Sequence, residues 1–235
     1  PPINIVFTEF PPYTYINREG VACGYFVSLI SELLQQEAIP HTFTSTPTPR
    51  IHFQLKSGEA DIYLGPQGVP GLQEHIRVIS IPKSFNIKLF LWRKPGTPNI
   101  QSLEALEDHS LALINGFGYG GLIENLDSLD SKLRIVRSNS HGNALKMLIS
   151  GRVDYLLDYE KPINIQLSRH PTETVLKHPI LDIPVAFMVS RNIDKSVELF
   201  TLLNAAVKQY FEVPKSQRLI KITGSPSATN TCLRL

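Results

Sequence analysis

Apolar residues follow two alternating periods along this chain. Residues 3–8 form a short β-branched run that stops at Pro11-Pro12, which predicts a strand leading into a loop. From Gly24 to Gln36 the positions Phe26, Leu29, Ile30, Leu33 and Leu34 recur at helical spacing and predict an amphipathic helix. Residues 41–44 read as a second strand. A bend at Pro47-Thr48-Pro49 then opens a short helix carrying Ile51 and Leu55 and ended by Ser57-Gly58. Residues 61–64 read as a strand entering the loop Gly65-Pro66-Gln67-Gly68. The run at 87–92 is strongly apolar and extended, and after Arg93-Lys94-Pro95-Gly96 a second series begins. It comprises a strand at 111–114, a glycine-rich turn, a helix from about Leu122, a strand at 133–136, a helix at 144–149 and a strand at 153–157. Residues 184–189 make another long apolar run, and the last helix spans roughly 197–211.

Strand alternating with helix implies α/β sheets with right-handed crossovers. Two such series, separated by two extended apolar segments, predict two α/β lobes joined by two hinge strands. The first lobe takes residues 1–88 plus 188–235 and the second 89–187. A ligand cleft is expected at the carboxyl ends of the strands.

Composition narrows the function classes. The chain has 235 residues, 23 Lys+Arg against 21 Asp+Glu, a formal charge of +2 and 42% hydrophobic side chains. That length builds an ordinary core without metals or disulfides, and high apolar content with low net charge excludes disorder. A nucleic-acid binder would concentrate basic residues. Here the clusters Lys132/Arg134/Arg137 and Lys215/Arg218/Lys221 are sparse and read as solvated faces. No apolar stretch approaches the ~20 residues of a membrane helix. The start at Pro1-Pro2, without Met or an apolar leader, reads as a processed product. Cys23 and Cys232 lie near opposite ends and form no CxxC motif; they pair in one long-range disulfide or remain two buried thiols. The small polar tail at 225–230 reads as a surface strip unless Cys232 pins it.

Catalytic and cofactor motifs are weak. Residues 116–121 match G-x-G-x-x-G between a strand and a helix, but the following strand ends Arg137-Ser138-Asn139, without the carboxylate that would hold a ribose. The segment reads better as a helix start with N–H groups for a small anion, or as a tight glycine turn. Seven histidines are scattered, with no metal-ligand spacing, and no nucleophile elbow occurs. The pairs Asp127/Asp130 and Asp154/Asp158 could serve acid–base chemistry if they share a cleft. No cofactor or metal is expected. Aromatic residues gather after the first strand as Phe7, Phe10, Tyr13 and Tyr15, with Phe7 directed to the core and Phe10 toward a cleft wall.

Several short segments carry a resemblance. They are Phe10-Pro-Pro-Tyr13, Gly20 with Gly24-Tyr-Phe-Val27, Lys56-Ser-Gly-Glu-Ala-Asp61, Ser80-Ile-Pro82, Ser102-Leu-Glu-Ala-Leu106 and Gly151-Arg-Val-Asp154. In order and spacing, from residue 3 to about 211, the chain resembles the periplasmic solute-binding proteins of extracellular family 3, receptors of polar amino-acid ABC importers. The resemblance implies a type II two-lobed fold, hinge strands near 85–93 and 183–189, and closure around a ligand. It also implies an aromatic clamp at Phe10, with Tyr13 among the ligand-binding residues, a strand-exit loop at Gly65 and Gln67, and amides at Phe117, Gly118 and Tyr119 that receive a carboxylate. The position of the family's carboxylate-binding Arg holds Gln73, and nearby Arg77 reads as a surface residue. The position of its amino-binding Asp holds Tyr159, with Asp158 one residue early. Arg50 at a helix start is the replacement cation, Glu9 and Asp158 are candidate amino-group acceptors, Gln67 a polar hook and Phe85 a second apolar wall. Cys23 and Cys232 then belong to one lobe, which makes a bond between them reasonable.

The expected function is capture of a small polar or anionic molecule, amino-acid-like or a carboxylate, without covalent chemistry. The implied setting is the periplasm, after signal-peptide removal, as a monomer that serves the membrane permease of an ABC importer. The alternatives are the sensing module of a signalling receptor, or a periplasmic dehydratase-type enzyme on the same scaffold.

Overall fold

A computed structural model describes residues 1–67, 71–128 and 133–212 together with Cys232. Gly68, Asp130, Lys132, the basic residues Lys215, Arg218 and Lys221, and the tail at 225–230 lie outside the described residues, as do the side chains of Asp127 and Ser128.

The elements follow in chain order: β1 (Ile3–Phe7), the small hairpin β2 (Tyr15–Ile16) and β3 (Ala22–Cys23), α1 (Tyr25–Gln36), β4 (His41–Ser45), α2 (Thr48–Ser57), β5 (Ile62–Pro66) and β6 (Ile76–Ser80). Then come β7 (Ile87–Arg93), β8 (Ser110–Ile114), α3 (Ile123–Ser128), β9 (Arg134–Ser138), α4 (His141–Ile149), β10 (Tyr155–Tyr159), α5 (Glu160–Ser168), β11 (Leu176–Ile183), β12 (Val185–Ser190) and α6 (Ser196–Glu212). The hydrophobic pattern anticipates most of these to within a few residues. It does not anticipate β6, α5, β11 or the β2–β3 hairpin.

Two compact units divide the chain. Unit 1 holds residues 1–65, 70–85 and 185–235, and unit 2 holds 66–69 and 86–184. The crossings fall at 85/86 and 184/185, rather than at 88/89 and 187/188 as expected from the sequence, because strand pairing sets them. All of β7 joins the unit 2 sheet, from Ile87 opposite Ile183 to Arg93 opposite Leu176. Strand β12 pairs antiparallel with β6 in unit 1, from Ala186 opposite Ser80 to Ser190 opposite Ile76.

Unit 1 carries a sheet in the order β4-β1-β5-β12-β6, with β1 parallel to both β4 and β5. Helix α1 buries Phe26, Val27, Leu29, Ile30, Leu33 and Leu34, and Tyr210 of α6 donates to Glu32 of α1 at 2.8 Å. The start of α1 is closed by the preceding loop: the Tyr25 and Phe26 N–H groups donate to the carbonyls of Pro12 and Tyr13. That approach requires glycine before the helix. Gly24 has φ +119°, and a Cβ there would lie 2.2 Å from the Tyr13 carbonyl oxygen. Helix α2 has Pro49 in its first turn and stops at the left-handed Gly58. Cys23 and Cys232 are disulfide-bonded with Cα atoms 5.5 Å apart, and Tyr15 donates its hydroxyl to the Cys232 carbonyl at 3.0 Å.

Unit 2 carries a sheet in the order β11-β7-β10-β8-β9. Here β8 is parallel to β9 and β10, while β7 runs antiparallel to β10 and β11. Its core gathers Trp92, Ala112, Ile114, Leu145, Leu148, Leu156 and Ile163 between sheet and helices. All five residues of β8 and all five of β10 are buried, as central strands covered on both faces should be.

Candidate functional site

The residues singled out in the sequence fall into two groups, most of them at the carboxyl edge of the parallel strands in their own unit. In unit 1 the edge is made where β1, β4 and β5 end. The chain leaving β1 turns back at once: the Phe10 N–H donates to the Thr14 carbonyl at 2.7 Å, and the Tyr13 N–H to the Phe10 carbonyl at 2.8 Å. Phe10 stacks on Tyr13 with ring centroids 5.0 Å apart, and Tyr13 in turn meets Phe26 at 5.0 Å. Their exposures are only 6% and 3%, so the expected wall of rings is built into an aromatic cluster that α1 backs. Glu9 accepts from the Ile16 N–H at 3.2 Å through one carboxylate oxygen.

Arg50 follows β4, as the third residue of α2, and is exposed. Gly65, next to last in β5, lies under the Tyr63 ring, which a Cβ at that position would overlap at 2.2 Å. Burial pushes the Tyr63 hydroxyl far above its ordinary pKa. Gln67 follows β5 and donates its N–H to the Pro184 carbonyl at 2.9 Å within unit 2. Phe85, expected as an open apolar wall, packs edge-on against Phe211 of α6 at 5.4 Å.

In unit 2 the edge is made where β8, β9 and β10 end. Beyond β8 the residues 116–121 form a tight turn with positive φ at Gly116, Tyr119, Gly120 and Gly121. Glycine is needed at 120, where a Cβ would stand 2.8 Å from the Leu181 side chain. This is the glycine-turn reading of the motif. The helix behind it, α3, spans Ile123–Ser128 among the described residues. Tyr119 is fully buried, accepts from the Ile114 N–H at 2.6 Å and stacks on Tyr159 at 5.6 Å. Its side chain therefore props the turn. The Tyr119 N–H, expected to receive a carboxylate, is buried with the rest of its residue; the turn can face a ligand through exposed Gly118 and through the half-buried ring of Phe117.

Asp158 corrects an expectation. It was expected to receive an amino group, but it has no exposed surface. Both carboxylate oxygens lie 2.8–2.9 Å from Nδ1 of His141, and one also accepts from the Tyr159 N–H at 2.7 Å. Burial raises the Asp158 carboxyl above its usual range, opposed by the hydrogen bond and charge of His141 and by the Tyr159 N–H. The physical reason is register: β10 places residue 158 between the Trp92 side chain, which donates to its carbonyl at 3.0 Å, and the first turn of α4. His141 is the residue that sequence reasoning passed over among seven scattered histidines. The available signal was its place directly after β9, behind the helix-capping Ser140, which accepts from the Asn143 N–H at 3.2 Å.

The candidate pair Asp154/Asp158 and the position of Arg77 are also settled, while Asp127/Asp130 lies outside the described residues. Asp154 and Asp158 do not share a site, since they flank opposite ends of β10, about 13 Å apart at strand rise. Asp154 instead accepts from the N–H and hydroxyl of Ser110, at 2.8 and 2.6 Å. Arg77 lies against the α6 side of unit 1, donating to the Ser196 hydroxyl at 3.4 Å. Among the described residues no group of three or more His, Cys, Asp or Glu side chains is placed to hold a metal ion. No helix among them is long and apolar enough to cross a membrane.

Comparison with solved structures decides the fold. An ancestral arginine-binding protein bound to arginine matches with a TM-score of 0.72 at 19% identity, over 94% of this chain and 98% of its own. A histidine kinase sensor domain with similarity to periplasmic binding proteins matches at 0.73 and 19%, over 93% of each chain. The GluR0 ligand-binding core in complex with L-glutamate matches at 0.70 and 15%, over 94% and 95%.

The chain has the periplasmic-binding-protein fold.

No protein-family profile matches the sequence. Over 174 residues it is 26% identical to the membrane-bound lytic murein transglycosylase F of Idiomarina loihiensis, covering 72% of this chain and 36% of that protein. The chain thus spans about a third of that curated relative's length. Within the periplasmic-binding-protein fold, the two strand edges described above are where open α/β sheets present ligand-binding loops.

Proposed function

We propose that this chain is an extracytoplasmic solute-binding module that captures a small polar or anionic molecule by closure of its two units. The observation that carries the reading is the nearly end-to-end likeness to amino-acid-binding proteins, with an arginine-binding protein covered over 98% of its length. The site loops named from the sequence support it, because most follow the carboxyl ends of parallel strands in both units. In this reading the Arg50 side chain in unit 1 and the Gly118 amide in unit 2 are the groups suited to an acidic ligand. Phe10, Tyr13 and Phe117 limit the ligand's apolar part, and Glu9, Gly65 and Gln67 offer polar atoms from the loop after β1 and the end of β5. The module works as a monomer in the periplasm and delivers its ligand to the permease of an ABC importer.

A second reading has its own support: the same capture used for sensing within a larger membrane-attached protein. The likeness to a kinase sensor domain and the 36% coverage of a membrane-bound transglycosylase favour it. Transport genes beside the coding sequence favour delivery; a membrane anchor and a further domain in the full-length product favour sensing.

A thermal-shift screen over amino acids, small carboxylates and amines tests capture. A ligand at 100-fold over its Kd stabilises the folded chain by about 2.7 kcal/mol, several degrees in Tm for a chain of this size. Stabilisation by a partner protein, with no shift from any small solute, would overturn the reading.

A further inference from the structure

Strand β5 carries a tyrosine whose hydroxyl the fold does not use. Tyr63 and Gly65 lie on one face of β5, with Ile62 and Leu64 on the other. Two residues of strand advance by about 7 Å, roughly the reach of a tyrosine side chain. The Tyr63 side chain covers that distance toward the carboxyl edge: a Cβ built on Gly65 would stand 2.2 Å from both Cζ and the hydroxyl oxygen of Tyr63. The hydroxyl therefore takes the place of a side chain at 65, at the strand exit of unit 1.

Other buried tyrosines use their hydroxyls within the fold. Tyr15 donates to the Cys232 carbonyl, Tyr155 donates to the Pro98 carbonyl at 2.8 Å, and Tyr119 accepts from the Ile114 N–H. Tyr63 is only 4% exposed, yet its hydroxyl has no hydrogen-bond partner among the described residues. The unpaired side-chain polar atoms that are sealed from water belong to Glu32, His52, Gln54 and Arg93, so the Tyr63 hydroxyl keeps a small open face. Burial alone raises its pKa, with no charged group contributing. Arg50, the cation suited to an acidic group, therefore serves a different part of the ligand. Residues 68–70, outside the described set, are Gly, Val and Pro and bring no polar side chain.

We propose that the Tyr63 hydroxyl reads an uncharged polar group of the ligand, an amide, carbonyl or hydroxyl, so that the captured molecule is an acid whose far end is neutral and polar. The inference rests on the solute-binding reading above and adds to it a specificity-determining residue and a ligand class. A neutral oxygen or amide needs one hydrogen bond at this point. A carboxylate or ammonium brought here would lose its water with no opposite charge to replace it. A methyl group would leave the hydroxyl covered and unpaired.

The test uses the full chain with its disulfide intact and two matched series that differ at one end: L-glutamine, L-glutamate and L-norvaline; and succinamate, succinate and butyrate. Thermal shift finds the series that binds, and calorimetry gives each Kd. The neutral amide should bind at least about tenfold more tightly than its charged and its apolar counterparts, as sites built around a hydrogen-bonded group do. Equal or tighter binding of the charged or the apolar member overturns the inference and leaves solute binding standing. Absence of any shift across both series and the wider panel overturns solute binding itself.

Tyr63→Phe keeps the ring and removes the hydroxyl. It should weaken the strongest ligand found, in these series or the wider panel, by about tenfold. The Tm of the ligand-free variant should stay level or rise, because no bond within the fold is lost. An unchanged Kd removes Tyr63 from recognition and overturns the inference. A ligand-free variant that melts several degrees lower, or does not fold, assigns the hydroxyl to the fold and overturns it as well.

Discussion

Asp154 and Asp158 flank the two ends of one strand, and the contrast between them shows what environment does to identical chemistry. Burial raises Asp158. The carboxyl of Asp154 is held below its usual range chiefly by the Ser110 hydroxyl, which outweighs the opposing effect of burial, with smaller help from the Ser110 N–H and the nearby His109 and Arg134 charges. A carboxylate whose folded pKa lies below its unfolded value of about 3.9 stabilises the fold above that pH. The contribution disappears as the pH falls through the folded value. Asp154→Asn should therefore lower stability at pH 6–7, and the gap from the parent should close progressively below about pH 4. Urea unfolding of both proteins across that range measures it, and a gap independent of pH would count against the assignment. Of the residues proposed for the site, Arg50, Gly65, Gln67 and Gly118 were legible because glycine turns and strand-exit positions are local features. The His141–Asp158 contact was not. It joins residues 17 apart in sequence through the first turn of α4, and a lone histidine carries no spacing signal.

At the scale of elements, local sequence was informative wherever one face of an element is buried. Helix α1 and strands β1, β8 and β12 follow from apolar spacing alone. Strand β11 did not, because it lies at the edge of its sheet, carries Pro179 at a register shift and leaves most of its residues exposed or half-buried. A strand whose partner lies on one side only need not be apolar. Helix α5 escaped because it follows β10 directly, at Glu160, and contains Pro162 in its first turn, where proline is tolerated. Helix α4 offers a test at this level. Ser140→Ala removes the side-chain acceptor of the Asn143 N–H and should cost about 1 kcal/mol. Denaturant unfolding of the variant measures the loss; no change in midpoint would assign the capping to the backbone alone.

At the scale of the whole molecule, unit 1 is assembled from chain segments as distant as Cys23 and Cys232, bonded across a separation of 209 residues. Cross-linking so long a loop restricts the unfolded chain, and losing the bond should lower stability by roughly 2–5 kcal/mol. The double variant Cys23→Ser/Cys232→Ser, compared with the parent by urea unfolding under oxidising conditions, measures that loss. Equal stability would show that the bond adds nothing to unit 1. By itself the sequence determined the two α/β series and the positions of the turns that end most of their strands. These depend on periodicity, proline and glycine, whose effects act within a few residues along the chain. Tertiary structure alone decided that Phe10 and Phe85 are packed against Tyr13 and Phe211, that Cys23 meets Cys232, and that Asp158 is sealed by His141. Each of those outcomes depends on which distant groups share a volume once water is excluded, and the energy of a buried charge is set by that company rather than by its neighbours in sequence.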